Sequence, residues 1–315
     1  MRDIKVLLTG GLGYLGSILA EKLLYDQYRV TVVDNLMYGS EQGLYHLCHY
    51  DHFDFVSGDV RDDSLMKSLL DQADVVIHLA AIVGMPACKR DPQLARSVNL
   101  EASRLLCQLA SPQQLIIFPN TNSGYGTTDS QTYCTENTPI SPLSLYGQTK
   151  CDAEHVLLSR KNTIAFRLAT VFGMSPRMRI DLLVNHFVYQ ALHEGYIVLF
   201  EKDFKRNFVH VRDVADCFLF AIENSNRIAG QVFNLGLDSA NLSKHDLALK
   251  IQQYLPNFYI HHAPIGQDPD KRNYIVSSEK LQKAGFTARR DLDSGIQELI
   301  KGFSMLGRGQ YRNVP

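Results

Sequence analysis

Short apolar runs and amphipathic stretches alternate through the first half of the chain. The apolar runs fall at Ile4–Thr9, Val30–Asp34, Asp54–Val56, Val75–Ala80, Leu115–Pro119 and Thr163–Leu168. Most carry no alternation of polar and apolar positions, which predicts strands covered on both faces, as in a parallel sheet. Helical spacing between them predicts helices at Leu12–Tyr25, Ser64–Leu70, Leu94–Leu109 and Ser144–Leu158. In the first of these, Leu15, Leu19, Leu23 and Leu24 mark one apolar stripe. The alternation predicts an α/β fold, a doubly wound parallel sheet with helices on both faces.

The texture changes after Gly173. Ser175-Pro176-Arg177 breaks the pattern, and a polar, basic stretch follows. A strand–helix–strand unit returns at Phe208–His210, Val214–Glu223 and Val232–Leu235, with Asp213 placed to cap its helix. From about Asp238 onward the spacing predicts short helices and loops. The expected organisation is a Rossmann domain from 1–173 plus about 208–237. A smaller, discontinuous C-terminal lobe from about 174–207 plus 238–315 would take the substrate.

Charge and cysteine usage narrow the partners. The 315 residues carry 32 Lys+Arg against 33 Asp+Glu, a net charge of -1. That balance gives no reason to expect nucleic acid or an anionic membrane, so any anionic ligand must be held by local arginines, backbone N–H groups or helix ends. Cysteines 48, 88, 107, 134, 151 and 217 are scattered without a C-x-x-C pair. This predicts reduced thiols in a cytoplasmic protein, neither a disulfide framework nor a metal site. No secretory leader and no membrane-spanning apolar stretch is expected.

Two constellations carry chemistry. Thr9-Gly10-Gly11-Leu12-Gly13-Tyr14-Leu15-Gly16 joins a predicted strand to a predicted helix. Gly10, Gly13 and Gly16 permit a tight turn, close approach to a pyrophosphate and close helix–strand packing, while the helix start offers N–H groups to the phosphates. Alone, such a trio also describes an ordinary βα turn. Asp34, 18 residues after Gly16 and at the end of the second strand, strengthens the cofactor reading. Its carboxylate suits the adenosine ribose hydroxyls and would repel a 2′-phosphate, which favours NAD over NADP. Asn35 follows it, and Asp59 with Val60 follows the third strand, where Asp59 is placed to reach the adenine edge.

The second constellation is Tyr146-Gly147-Gln148-Thr149-Lys150, a phenol and an ammonium one helical turn apart. Oxidising an alcohol needs a base for the hydroxyl proton while hydride leaves. A free tyrosine, with a pKa of about 10, must drop by roughly 3 units to serve near neutrality, about 4 kcal/mol. A lysine charge about 4 Å away supplies about that much at an effective dielectric of 20. The same spacing occurs by accident on helix surfaces, and its place between the fifth and sixth strands argues against accident.

Together with His78-Leu79-Ala80-Ala81 and Thr121-Asn122-Ser123-Gly124-Tyr125-Gly126, these motifs resemble the extended short-chain dehydrogenases/reductases of the NAD-dependent epimerase/dehydratase family, over nearly the whole chain. The resemblance implies catalytic roles for Tyr146, Lys150 and Thr121. It implies cofactor contacts from Gly10, Gly13, Tyr14, Leu15, Gly16, Asp34, Asn35, Asp59, Val60, Leu79, Ala80, Ala81 and Lys150. Substrate contacts would come from Thr121, Ser123, Tyr146 and Asn185, with Arg206 and Arg272 on the diphosphate and Arg177 and Arg179 assisting. It also implies a homodimer through the Tyr146 helix and its predecessor. A finer likeness, in Phe166–Gly173, Ser175–Arg179 and Asp181–Asn185, is to C4-dehydrogenases of GDP-heptose in bacterial capsule and surface-polysaccharide pathways. Where the family commonly has aromatic-aromatic-Asn after the sixth strand's arginine, this chain has Leu168-Ala169-Thr170.

Within such a family, Asn122 and Ser123 stand where dehydratases carry an Asp-Glu pair, and neither titrates near neutral pH. Tools for hydride transfer alone remain. That leaves a C4-dehydrogenase, which releases the ketone, or a C4-epimerase, which returns the hydride to the other face. A non-catalytic NAD-binding regulator is the alternative from another class, and retention of Tyr146, Lys150 and Thr121 speaks against it.

Overall fold

Seven of the eight predicted strands belong to one parallel sheet. They are β1 (Lys5–Thr9), β2 (Arg29–Asp34), β3 (Phe53–Ser57), β4 (Val75–His78), β5 (Leu115–Thr121), β6 (Thr163–Leu168) and β7 (Gln231–Leu235). Across the sheet their order is β7-β6-β5-β4-β1-β2-β3. The computed structural model describes residues 3–39, 41–266 and 271–305, so residues 267–270 and 306–315 of the expected lobe lie outside the described residues.

Burial explains the unbroken apolar runs. Every position of β4 is buried, and β5 and β6 are buried at all but their last residue, whereas edge strand β3 is half exposed. One apolar cluster fills each side of the sheet. The chain moves outward from β1 through β2 to β3, then returns to start β4 on the other flank of β1. That reversal opens a crevice beyond the carboxyl ends of β1 and β4, the place where open α/β sheets bind ligands.

Helix α1 (Tyr14–Tyr25) follows β1, and α2 (Leu145–Leu157) carries the Tyr146–Lys150 pair. Ser144 caps α2 by accepting from the Gly147 N–H at 3.1 Å. The single helix expected at Leu94–Leu109 is instead three pieces: Pro92–Arg96, a π turn at Ser97–Glu101, and Ala102–Leu109. The wide turn aims Asn99 inward, where its side chain bonds the Ile82 N–H, the Ile82 carbonyl and the Thr149 hydroxyl. Apolar spacing does not register a one-residue bulge of this kind.

The returning strand–helix–strand unit differs from expectation in two ways. Its first strand, Lys205–His210, pairs with Thr170–Phe172 and Asn241–Ser243 in a separate three-stranded sheet, and only β7 joins the main sheet. Its helix, α4 (Val211–Glu223), packs against α1 and is capped by His210, whose Nδ1 accepts from the Arg212 N–H at 3.2 Å. Asp213 lies inside the first turn. It is buried because it takes the Arg289 and Arg290 N–H groups and the Arg290 guanidinium. Before α4 in sequence comes α3 (Leu183–His193), which packs with the Leu292–Met305 helix over the small sheet.

One ion pair fastens α2 to the sheet. Arg167 of β6 donates to both oxygens of Glu154, and both side chains are buried, at 7% and 5% exposure. Asn120 of β5 donates to the same carboxylate at 2.7 Å. Glu154→Gln would leave the guanidinium buried without its counter-charge. The expected loss is about 3–5 kcal/mol of folding stability, measured by urea unfolding, and a loss below about 1 kcal/mol would show that the pair is not what holds α2 down.

Candidate active site

The β1–α1 turn is packed directly against the backbone that leaves β4. Gly10 has φ +68, and a Cβ on it would stand 2.7 Å from the Ala80 nitrogen. A Cβ on Gly16 would stand 2.6 Å from the Gly10 oxygen. Gly13 caps α1 with no side chain, so the N–H groups of the first turn face the crevice. Gly10, Gly13, Tyr14, Leu15 and Gly16 all line one cavity of about 860 Å³, together with Asp34, Asn35, Asp59, Val60, Leu79, Ala80 and Ala81. A dinucleotide's pyrophosphate fits this cradle, since a side chain at these glycines would fill it.

The polar atoms at this end divide the work. Asp34 accepts the Leu12 N–H on one oxygen and the Leu36 N–H on the other, both at 3.0 Å. Burial raises its pKa, and those two bonds together with the charge of Arg177 pull it back. Asp59 is committed to protein: Arg61 and Asn35 fill both its oxygens and hold it down at about 2. The clamped carboxylate still lines the cavity beside Asn35 and Val60. Tyr14 contributes backbone, because its phenol donates to the Gly173 carbonyl at 2.6 Å.

At the other end, Tyr146, Lys150, Thr121 and Ser123 meet on the same cavity wall. The Thr121 hydroxyl donates to Ser123 Oγ at 2.9 Å, and Ser123 also accepts from the Arg272 guanidinium. Asn122, between them, is fully buried and does not line the cavity. The electrostatics differ from the simple lysine–tyrosine account. Burial pushes the Lys150 amine down to about 7, and its Nζ lies 3.9 Å from the centre of the Phe118 ring. Burial pushes the Tyr146 phenol up to about 12, and the cations that oppose this are Arg179 and Arg272. His78, beneath Lys150, is driven down to about 3 by burial and then by the lysine, so it is a neutral neighbour bonded to Thr9.

The expected substrate residues separate into three groups. Arg206 and Arg272 line the cavity, and Arg206 donates to the carbonyls of Lys205 and Arg272. Arg177 is at the cofactor end instead, 4.7 Å over the Tyr38 ring and within electrostatic range of Asp34. Asn185 does not face the cavity. Its amide is spent on the Gly173 N–H, the Tyr14 hydroxyl and the Arg179 carbonyl, tying α1 to α3. Sequence reading missed Tyr38 and Asp181, which line the cavity, and Asn99, which braces Ile82 and Thr149 behind it.

Residues 6–236 match the NAD dependent epimerase/dehydratase family. The chain belongs to that family. It is thus an NAD-dependent enzyme of the epimerase/dehydratase type. It is 27% identical to UDP-glucuronic acid decarboxylase 1 of Danio rerio over 95% of this chain and 72% of that protein. To YtcB of Bacillus subtilis (strain 168), named an uncharacterized UDP-glucose epimerase, it is 29% identical over 74% of this chain and 77% of that one. The fold is that of UDP-glucuronic acid 4-epimerase from Bacillus cereus, crystallised with UDP-glucuronic acid and NAD, with a TM-score of 0.85, 23% identity and coverage of 96% and 99%.

Arg177, within electrostatic range of Asp34, makes a specific cofactor prediction. Wild-type protein should bind NAD well and NADP poorly, because the carboxylate repels a 2′-phosphate. In Asp34→Ala the Arg177 guanidinium remains to receive that phosphate, so NADP affinity should rise about tenfold or more. Adding Arg177→Ala should cancel the gain. Equal affinities for NAD and NADP in the wild type, measured by calorimetry, would remove Asp34 from this role.

Proposed function

We propose that the enzyme oxidises a nucleotide-bound sugar at C4 and releases the 4-keto sugar. The observation that carries this reading is the content of the sugar end. Tyr146, Thr121, Ser123 and Lys150 converge there, while the position between the two hydroxyls holds a buried asparagine that cannot protonate or deprotonate a neighbouring carbon. A dehydration would need such an acid and base. Bound NAD would supply the hydride acceptor. Tyr146 takes the C4 hydroxyl proton, and Thr121 holds the reacting oxygen. Ser123, accepting from both Thr121 and Arg272, fixes the direction of the Thr121 hydroxyl. Arg206 and Arg272 offer guanidinium forks to the diphosphate.

The finer likeness in the sequence supports GDP-heptose as the sugar nucleotide. The names of the relatives put UDP-sugars on the same test panel, and they favour a second reading, C4-epimerisation, which shares every step up to the ketone. A homodimer through α2 and the helix before it is carried by the same resemblance, as is a cytoplasmic location.

Purified protein with NAD and a panel of GDP-, UDP-, CDP- and dTDP-sugars separates these readings. We expect NADH absorbance to rise with one class and a product two mass units below its substrate. Tyr146→Phe should abolish this while NAD affinity stays within about twofold. Arg206→Ala should raise the Michaelis constant by roughly tenfold or more, the scale of a lost charge-assisted bond. A C4-inverted sugar of unchanged mass would promote the epimerase, and turnover in Tyr146→Phe would require a different base.

A further inference from the structure

Arg179 has no part in the steps above, yet it is among the most constrained cations in the cavity. It sits on the loop between the Thr170–Phe172 strand and α3, buried at 8% exposure. Asp181 receives its guanidinium on both oxygens, Nε to Oδ1 at 3.1 Å and Nη2 to Oδ2. Its carbonyl accepts the Asn185 amide at 2.9 Å, which fixes the loop on α3. Its Nη2 lies 3.9 Å from the point where a Cβ of Gly84 would stand, so the head group packs against the backbone leading to Met85. It lines the same cavity as Tyr146 and lies within electrostatic range of that phenol.

We propose that Arg179, aimed by Asp181, is the positioning cation that allows Tyr146 to ionise. This rests on the reading of Tyr146 as the base. The groups that face the phenol are few. From α2 come Lys150 and Cys151, and from the Met85–Arg90 helix comes Cys88. The end of β5 brings the neutral hydroxyls of Thr121 and Ser123, and two loops bring Arg179 with its ionised partner Asp181, and Arg272. Burial pushes both thiols up to about 11, so neither is an anion near neutrality. The lysine is itself near its own midpoint, and Arg272 is bonded to Ser123. Arg179 is therefore a permanent charge on the wall of the phenol's own cavity, fixed in place by a partner of its own. A fixed cation beside a buried phenol favours the tyrosinate.

The sign of the effect follows. Removing a cation from beside a phenolate raises the phenol's pKa, so the ascending limb of the kcat profile must move to higher pH. In the full-length enzyme with NAD and its best panel sugar, Arg179→Met should move that limb up by about one unit or more. Arg179→Lys, which keeps the charge without the fork, should restore most of the shift. Difference absorbance of the tyrosinate, each variant against the same variant carrying Tyr146→Phe, should show the same displacement without turnover. If the methionine variant does not fold, Arg179→Gln keeps a donor for Asp181 and removes the charge. An unmoved limb with a raised Michaelis constant would overturn the proposal and make Arg179 a substrate contact only. Turnover in Tyr146→Phe would instead defeat the reading on which it rests.

Discussion

The site depends on a charge buried behind it. Tyr146, Lys150 and Glu154 follow one another at four-residue intervals along one face of α2, so they form a single line from the cavity into the protein. Glu154, at the inner end, is gripped by Arg167 from β6 and by Asn120 from β5. Arg167 also donates to the Tyr125 hydroxyl and the Glu136 carbonyl, and Tyr125 donates to Asn234 of β7. Thus a carboxylate–guanidinium pair joins α2, three strands and the loop that follows Thr121. A buried pair gives little net stability against an apolar replacement. Its value is directional, because an apolar contact would let α2 slide and two-toothed hydrogen bonds do not.

That rigidity lets the cavity hold ionisable groups under desolvation. A buried phenol resists losing its proton and a buried amine resists keeping one, and both tendencies are present here, toward about 12 for Tyr146 and about 7 for Lys150. Helical spacing alone therefore does not make a base. The chain answers with fixed guanidiniums brought from outside the sheet, on the loop before α3 and on the segment that follows the Tyr259–His262 strand. A net charge of -1 for the whole molecule is compatible with this, since the guanidiniums invoked here sit together on one cavity.

The sheet was legible because burial on both faces writes itself into consecutive residues. The runs at Val75 and Leu115 read as central strands, and the glycine turn follows from its position after the run that ends at Thr9. The π turn around Asn99 was not legible, because it is one residue inserted into an otherwise helical spacing. The cap of α4 was missed for a different reason. Asp213 has the right chemistry for a cap, but its carboxylate is drawn to Arg290, seventy-seven residues later, and His210 takes its place. Arg177 and Asn185 show the same limit at the site. Residue type gives what a side chain can bind, but the partner across the fold decides which end of the cavity it serves, or whether it reaches the cavity at all.

The segment after β6 carries the last step. Leu168, Ala169 and Thr170 line the cavity where an amide-bearing loop would otherwise grip the substrate. An apolar wall there excludes water from the reacting carbon without holding the sugar in one orientation. On the proposed reading, orientation then comes from the hydroxyl pair of Thr121 and Ser123 at one end and from Arg206 and Arg272 at the other. Ser123 is bonded to Arg272, and Arg272 to Arg206, so the two ends are not independent. A nucleotide that draws the guanidiniums toward its diphosphate also pulls on the hydroxyl that orients Thr121. On the proposed reading, substrate grip and alignment of the reacting oxygen are a single hydrogen-bonded chain, and a change at Arg206 reaches the Thr121 hydroxyl.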